Sequence, residues 1–268
     1  MLIPYYNAGD ALVEAIQSID YDPIRPDVIV VDDGSMKLRA KEALRSYAGP
    51  LTVKLLELPN NVGIENALNV GLSEHGREYQ YIARLDCGDV CINSRIARQV
   101  QLLEANPNIH LVGSWVEFIN LENVTQFELR HPSRFDIIQK RMFLNPTFTH
   151  PSVMFRSSVL DTVGLYPTEF KAAEDYAYFF NIIAKHEATN IEESLVRCLI
   201  DPHGISTQKR KRQIVSRIRI ILANFHLDAW AVYGLVRSLI LLMAPRELTV
   251  VLNSLRGRFM HKAQAMME

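Results

Sequence analysis

The chain has 268 residues, 48% of them apolar and 22% charged, with 12 Gly and 12 Pro. That length suits one large α/β domain with an appendage, or two modest domains, and the composition excludes disorder and collagen-like order. No apolar run reaches the roughly 18–20 residues of a spanning helix, and MLIPYYN is too short and uncharged for a secretory signal. Cys87, Cys91 and Cys198 match no zinc spacing, and an odd cysteine count without a signal points to a reducing cytoplasm. The net charge of −1 hides an asymmetry: from Thr207 onward 11 Lys/Arg stand against 3 Asp/Glu, a net of +8, whereas residues 1–206 carry 18 and 27, a net of −9. An acidic body with a basic tail calls for a partner.

Strand and helix patterns alternate through the first part of the chain. A strand in MLIP has three residues before Pro4, so either residues are missing upstream or the strand is short. DVIVV (27–31), LTVKLLEL (51–58) and YQYIARL (79–85) read as further strands. Between them Leu12, Ala15, Ile16 and Ile19 share one helical face, Leu68 and Leu72 another, and Ile96, Val100 and Leu103 a third. Asn93 or Ser94 can cap that third helix, which ends near Pro107. Such alternation implies a Rossmann-like, mostly parallel sheet with helices on both faces. Ligands then sit outside the carboxyl ends of the strands, where YYNAGD, DDGS and DCGD fall.

From about 109 to 156 the pattern is irregular, with short strands in HLVGSWVEFI and HPSVMF and a helix around 133–143. A helix spans 174–186 and opens on Glu174 and Asp175, acids that suit the positive end of its dipole. Three helices follow, at 207–226, 228–243 and 246–264, the last two separated by Pro245. The expected organisation is a domain over 1–206, with a nucleotide-binding half (1–106) and an acceptor half (107–206), and a basic, apolar helical extension over 207–268.

Each polar motif has a plain reading and a chemical one. Asp32 and Asp33 in VVDDGS are good turn chemistry, but at a strand end a carboxylate can accept a uracil imide N–H or hold a ribose hydroxyl. Asp86 and Asp89 in RLDCGDV repel each other at the rim unless a cation sits between them, and a divalent ion on a diphosphate supplies that charge. Arg84 either assists there or pairs with a neighbouring acid. Glu174 and Asp175 in KAAEDYAYF are favourable charge at a helix start, or a general base with an orienting partner. His150 and His203 are weaker candidates, since a lone histidine is more often a structural hydrogen-bonder. KRKR (209–212) with Arg217 and Arg219 lacks the interleaved aromatics of a nucleic-acid site; a phosphate-bearing lipid or anionic membrane fits it better. For AWAVYGLVRSLILLMA, a packing or dimer helix stands slightly ahead of membrane contact.

Taken in order, IPYYNAGDALVEAIQSI, VIVVDDGS, LPNNVGIENALNVGL, YIARLDCGDV, HPSVMFRSSVLDTVGLYP and AEDYAYFFNIIAK resemble the motifs of family 2 glycosyltransferases over roughly residues 2–206. The resemblance implies the A-type glycosyltransferase fold, a UDP-sugar donor, a divalent metal (Mn²⁺ or Mg²⁺) and single displacement with inversion. By matched position, Pro4, Tyr6, Asn7, Asp32, Asp33, Asn66, Arg84 and Asp86 hold the nucleotide sugar. Asp86 and Asp89 are the first and last acids of the family's Asp-x-Asp-Asp, with His203 a further metal candidate, and Asp175 is the base beside Glu174. His150 falls on the acceptor side. Two departures stand out: Gly88 occupies the place of the middle acid, and CLIDPHGIS lacks the arginine of the family's Tyr-Arg-x-His, although Arg197 and His203 lie close by.

The expected activity is hexosyl or N-acetylhexosaminyl transfer to a lipid-linked or polysaccharide acceptor in O-antigen or capsule synthesis. It is expected in the bacterial cytoplasm or peripherally on the inner membrane face, without nucleic acid and with a possible homodimer through the C-terminal helices. The alternative is a catalytically impaired nucleotide-sugar-binding protein of an assembly complex. A nucleotidyltransferase would want a Gly-rich phosphate loop with a nearby lysine, which PYYNAGD lacks.

Overall fold

A computed structural model of the chain describes residues 1–200 and 210–243. The N-terminal half is built from β1 (Leu2–Tyr5), α1 (Ala11–Gln17), β2 (Val28–Asp32), α2 (Ala40–Ala43), β3 (Val53–Glu57), α3 (Ile64–His75), β4 (Tyr81–Ala83), β5 (Val90–Cys91) and α4 (Arg95–Ala105). Strands β1, β2 and β3 are parallel neighbours, and a parallel bridge from Leu2 to Arg84 joins this sheet to the end of β4. Alternate residues of β1 and β2 enter opposite cores. Leu2, Ile29 and Val31 pack with Leu68, Leu72 and Phe179, while Ile3, Val28 and Val30 pack with Leu12, Ile16 and Ile96. A sheet buried on both faces explains why its strands read as unbroken apolar runs.

The second half brings β6 (Ile109–Ile119), β7 (Thr125–Leu129), α5 (Phe135–Met142), β8 (Met154–Arg156), α6 (Val159–Thr162), α7 (Glu174–Ile183) and β9 (Glu187–Leu199). The strand order β4-β8-β6-β9-β5, with β7 on β6, completes a curled sheet. Here parallel pairing is confined to β6 with β9; the other pairs are antiparallel. The helix at 95 has Ser94 at its N-cap, at φ +54 and without a side-chain cap bond. Strand β9 has no counterpart in the sequence expectation.

The basic extension continues as α8 (Arg210–Ala223) and α9 (Ala229–Met243). Helix α8 docks on the body: Ile214, Ile220 and Ile221 are buried, and Ser216 Oγ donates to the Lys171 carbonyl at 2.9 Å. The helix expected at 246–264, and His203, lie outside the described residues. No helix among the described residues is long and apolar enough to cross a membrane.

Candidate active site

The carboxyl ends of β1, β2 and β4 open on a cavity of about 710 Å³ lined by Pro4, Tyr6, Asp33, Asn61, Asp86 and Lys171, among others. Two of the loops there are held by side chains. Asp32 is buried; its Oδ1 accepts the Ser35 N–H (2.9 Å) and its Oδ2 the Ala40 N–H (2.8 Å). Asn7, at φ +50, accepts the Lys37 and Leu38 N–H groups on Oδ1 at 3.0 and 3.2 Å. These two residues shape the 34–38 loop and are not part of the cavity lining. Asp33 does line the cavity, and it pins the start of α3 by accepting the Val62 and Gly63 N–H groups at 2.7 and 3.0 Å; burial raises its pKa. Asn66 turns back to the Val62 carbonyl (2.8 Å), and the 60–66 stretch reaches the cavity through Asn61, Gly63, Ile64 and Glu65 instead.

Arg84 is fully buried. Its Nη2 donates to Asp86 Oδ1 at 2.7 Å, its Nη1 to the Leu2 and Leu85 carbonyls, and its Nε to His150 Nε2 at 3.3 Å. Of the two roles left open by the sequence, pairing with an acid is the one seen. Arg84 fixes the Asp86 carboxylate through Oδ1, and Asp86 lines the cavity. His150 Nε2 also lies 3.0 Å from the Tyr166 hydroxyl, and burial with the Arg84 charge pushes its pKa down to about 3, so the imidazole is neutral.

A second cavity, of about 870 Å³, adjoins the first: Asp86, Glu174, Ile64 and Ala172 line both. It is lined further by Asp175, His150, His131, Arg141 and Trp230. Asp175 Oδ1 accepts the Tyr176 N–H at 2.7 Å, which leaves Oδ2 for a ligand. Burial raises the pKa of Asp175. Glu174 is buried, its Oε2 has no hydrogen-bond partner among the described residues, and burial with the Asp175 charge raises its pKa to about 7. Two acids whose ionisation is disfavoured thus stand side by side, Glu174 lining both cavities and Asp175 the second, which is the environment of a general base.

A family model described as "Glycosyl transferase family 2" matches residues 1–164. The chain belongs to this family. Among curated relatives, an Escherichia coli UDP-Gal:alpha-D-GlcNAc-diphosphoundecaprenol beta-1,3-galactosyltransferase is 29% identical over 218 residues, covering 80% of this chain and 77% of the relative. The amylovoran biosynthesis glycosyltransferase AmsE of Erwinia amylovora is 25% identical over 252 residues, covering 91% and 93%. In fold, the chain is similar to S. aureus TarS 1–349 in complex with UDP-GlcNAc (TM-score 0.64, 19% identity, covering 89% of this chain and 70% of that one). It is similar also to the mannosyltransferase PcManGT of Pyrobaculum calidifontis in complex with GDP-Man and Mn²⁺ (TM-score 0.61, 17% identity, 96% and 78%). Against a longer TarS chain it spans 40% of the length. These likenesses show the A-type glycosyltransferase fold.

The family's metal motif is reduced here. Asp89 is buried away from both cavities: its Oδ1 accepts the Leu199 N–H at 3.0 Å, and its Oδ2 accepts from Cys198 Sγ at 3.4 Å. Burial and the Asp86 charge raise its pKa to about 7. Gly88 turns between the two acids at φ +92, a left-handed backbone that glycine takes without strain. The described residues gather no three-residue cluster of metal ligands. What remains is one carboxylate, Asp86, with an oxygen free of Arg84. That fits a Mg²⁺- or Mn²⁺-type ion completed by substrate phosphates and water. Arg197 pairs with Glu117 at 2.7 Å and lines neither cavity.

Several lining residues were not expected at this site from the sequence, which places Arg212 in a basic run and Trp230 in a packing or membrane helix. Lys171, paired with the buried Glu65, and Arg212 of α8 line the first cavity. His131, Arg141 and Trp230 line the second. They come from separate elements, and only the tertiary fold assembles them.

Proposed function

We propose that the protein is an inverting glycosyltransferase moving a hexosyl or N-acetylhexosaminyl group from a UDP-sugar to an acceptor hydroxyl. The acceptor is a lipid-linked oligosaccharide in O-antigen or capsule synthesis, met at the inner face of the cytoplasmic membrane. One observation carries the reading: Asp86 and Glu174 line both cavities, so a donor in the first and an acceptor in the second meet beside Asp175. The relatives in bacterial polysaccharide synthesis support the substrate class.

In this scheme Pro4, Tyr6, Asn61 and Asp33 surround the nucleoside, and Asp32 and Asn7 act from behind by holding the loop. Asp175 Oδ2 takes the acceptor hydroxyl's proton, and the oxygen attacks the anomeric carbon as the bond to the diphosphate breaks. The electron pair leaves with the UDP, and an α-linked donor gives a β-glycoside. Glu174 and neutral His150 position the acceptor side. A divalent ion held by Asp86 would supply charge neutralisation at the diphosphate. Lys171 and Arg212, the cations lining the donor cavity, supplement it.

Calorimetric titration of UDP with and without Mn²⁺, on wild type and Asp86→Ala, tests this. The expected result is metal-enhanced binding that is lost in the variant. Metal-independent binding unchanged in Asp86→Ala would favour the impaired binder, the reading that Gly88 supports.

A further inference from the structure

The acceptor cavity is flanked by two elements that expose large apolar residues. Helix α9 contains one charged residue, Arg237. Its buried side is Ala231, Gly234 and Ser238; its exposed side is Val232, Tyr233, Val236, Leu239, Ile240 and Met243. At 3.6 residues per turn these exposed positions fall within one continuous arc of about 120°, a third of the helix circumference. Leu227, in the turn before α9, is 95% exposed. The second element is the β6–β7 hairpin, with Leu121 at 78% exposure in its turn and Val124 and Phe127 beyond it. Scattered exposed apolar residues are ordinary, but a continuous apolar stripe along a helix marks an interaction site.

Both elements reach the same cavity: Phe118 and Leu129 from the hairpin and Trp230 from α9 line it, with Trp230 and Leu129 themselves partly exposed. Charge is divided along that cavity. The acids Asp86 and Glu174 are shared with the donor cavity, Asp175 adjoins Glu174, and the remaining charged lining residues are Arg130 and Arg141. Arg130 is paired with Glu128; Arg141 has no ion-pair partner among the described residues. Helix α8, which leads into α9, carries Lys211, Arg212, Arg217 and Arg219 and no acid.

We propose that the β6–β7 hairpin and the exposed face of α9 form one docking surface for an anionic phospholipid bilayer, which sets the acceptor cavity at the lipid–water boundary. The proposal rests on the transferase reading for its purpose and names the partner of that same site. Apolar side chains seated among acyl chains beside cations at headgroup level are the pattern of an interfacial protein. A second copy of the chain fits less well. A two-fold interface would place this same apolar patch on both partners and leave no role for the neighbouring basic helix.

The test is flotation of the full chain with vesicles of phosphatidylcholine containing phosphatidylglycerol, and with phosphatidylcholine alone. Wild type is compared with Leu121→Ser/Val124→Ser in the hairpin and Val236→Ser/Ile240→Ser in α9, none of which lines either cavity. Each pair removes several buried methylene equivalents, so vesicle partitioning is expected to fall by at least about tenfold. Wild type is expected to bind better with the anionic lipid, and UDP binding should be unchanged in all three proteins, which shows that the variants are folded. Unchanged flotation of either variant, or a wild type that does not float, overturns the surface. So does a wild-type dimer in light scattering that the variants dissociate while flotation persists; that result makes the face a self-association site. Flotation behaving as expected in a protein that binds no UDP would strike the transferase reading and leave the surface standing.

Discussion

Replacing Glu174 by Gln tests the electrostatics of the junction between the cavities. Glu174 is 8% exposed and its Oε2 has no partner among the described residues. Burial and the Asp175 charge raise its pKa from the ordinary 4.5 to about 7. At about 1.4 kcal/mol per pH unit, ionising this carboxyl costs up to about 3 kcal/mol more in the fold than in the unfolded chain. Because the folded pKa is the higher one, the group's contribution to stability is complete below pH 4.5 and is lost as pH rises through about 7. Glutamine does not titrate, so the stability of wild type relative to Glu174→Gln should fall by up to about 3 kcal/mol across that window. For a chain of this size that corresponds to roughly 5–10 °C in relative Tm. Urea unfolding of both proteins at closely spaced pH values reads the difference directly, and any constant offset from the amide's own hydrogen bonds cancels. Parallel stability curves across the window would refute the reasoning, since they would mean that the carboxylate is solvated or paired in the folded protein.

Further consequences follow from the same geometry. Arg84→Met should cost about 3–5 kcal/mol in urea unfolding, because it strips a buried charge network in which Asp86, His150 and the Leu2 and Leu85 carbonyls are all partners. Gly34→Ala should destabilise by about 1–3 kcal/mol or more, since Gly34 sits at φ +66 and an added Cβ would lie 2.3 Å from the Asn60 carbonyl carbon; a Tm equal to wild type would contradict this. The pKa of Asp175 is raised by burial and its working form is ionised, so kcat/KM should fall on acidification through a limb lying above the ordinary carboxylate range. A rate flat down to that ordinary range would exclude Asp175 as the base.

The parallel half of the fold was legible because DVIVV is buried on both faces, and nothing else in such a run competes with a strand. Strand β9 was not. EATNIEESLVRCL is interrupted by Asn190, Glu192 and Glu193, yet Asn190 is buried and donates to the Pro132 and Thr147 carbonyls at 2.8 and 3.0 Å. A tertiary partner makes the polar residue compatible with the sheet, and no local pattern reports that. The DDGS pair shows the same limit at the site. Adjacent aspartates look equivalent in sequence, but Asp32 closes its own loop while Asp33 stands in the cavity wall. Asp86 and Asp89 divide likewise, one fixed by Arg84 in the cavity wall and the other committed to the end of β9. The Glu174–Asp175 pair was found through its motif, whereas Lys171, Arg212 and Trp230 reach the cavities from elements with no shared periodicity.

In the proposed reaction Asp175, in the acceptor cavity beside Glu174, drives inverting transfer from a UDP-sugar. The most direct measurement follows UDP release from a panel of UDP-sugars with a diphosphate-lipid-linked sugar acceptor, for wild type and Asp175→Asn, and reads the anomeric configuration of the product by NMR. A β-linked product is expected from an α-linked donor. A loss of about 10²–10⁴-fold in kcat is expected for Asp175→Asn, with UDP affinity retained. An α-linked product, or a variant as fast as wild type, would contradict the proposed reaction.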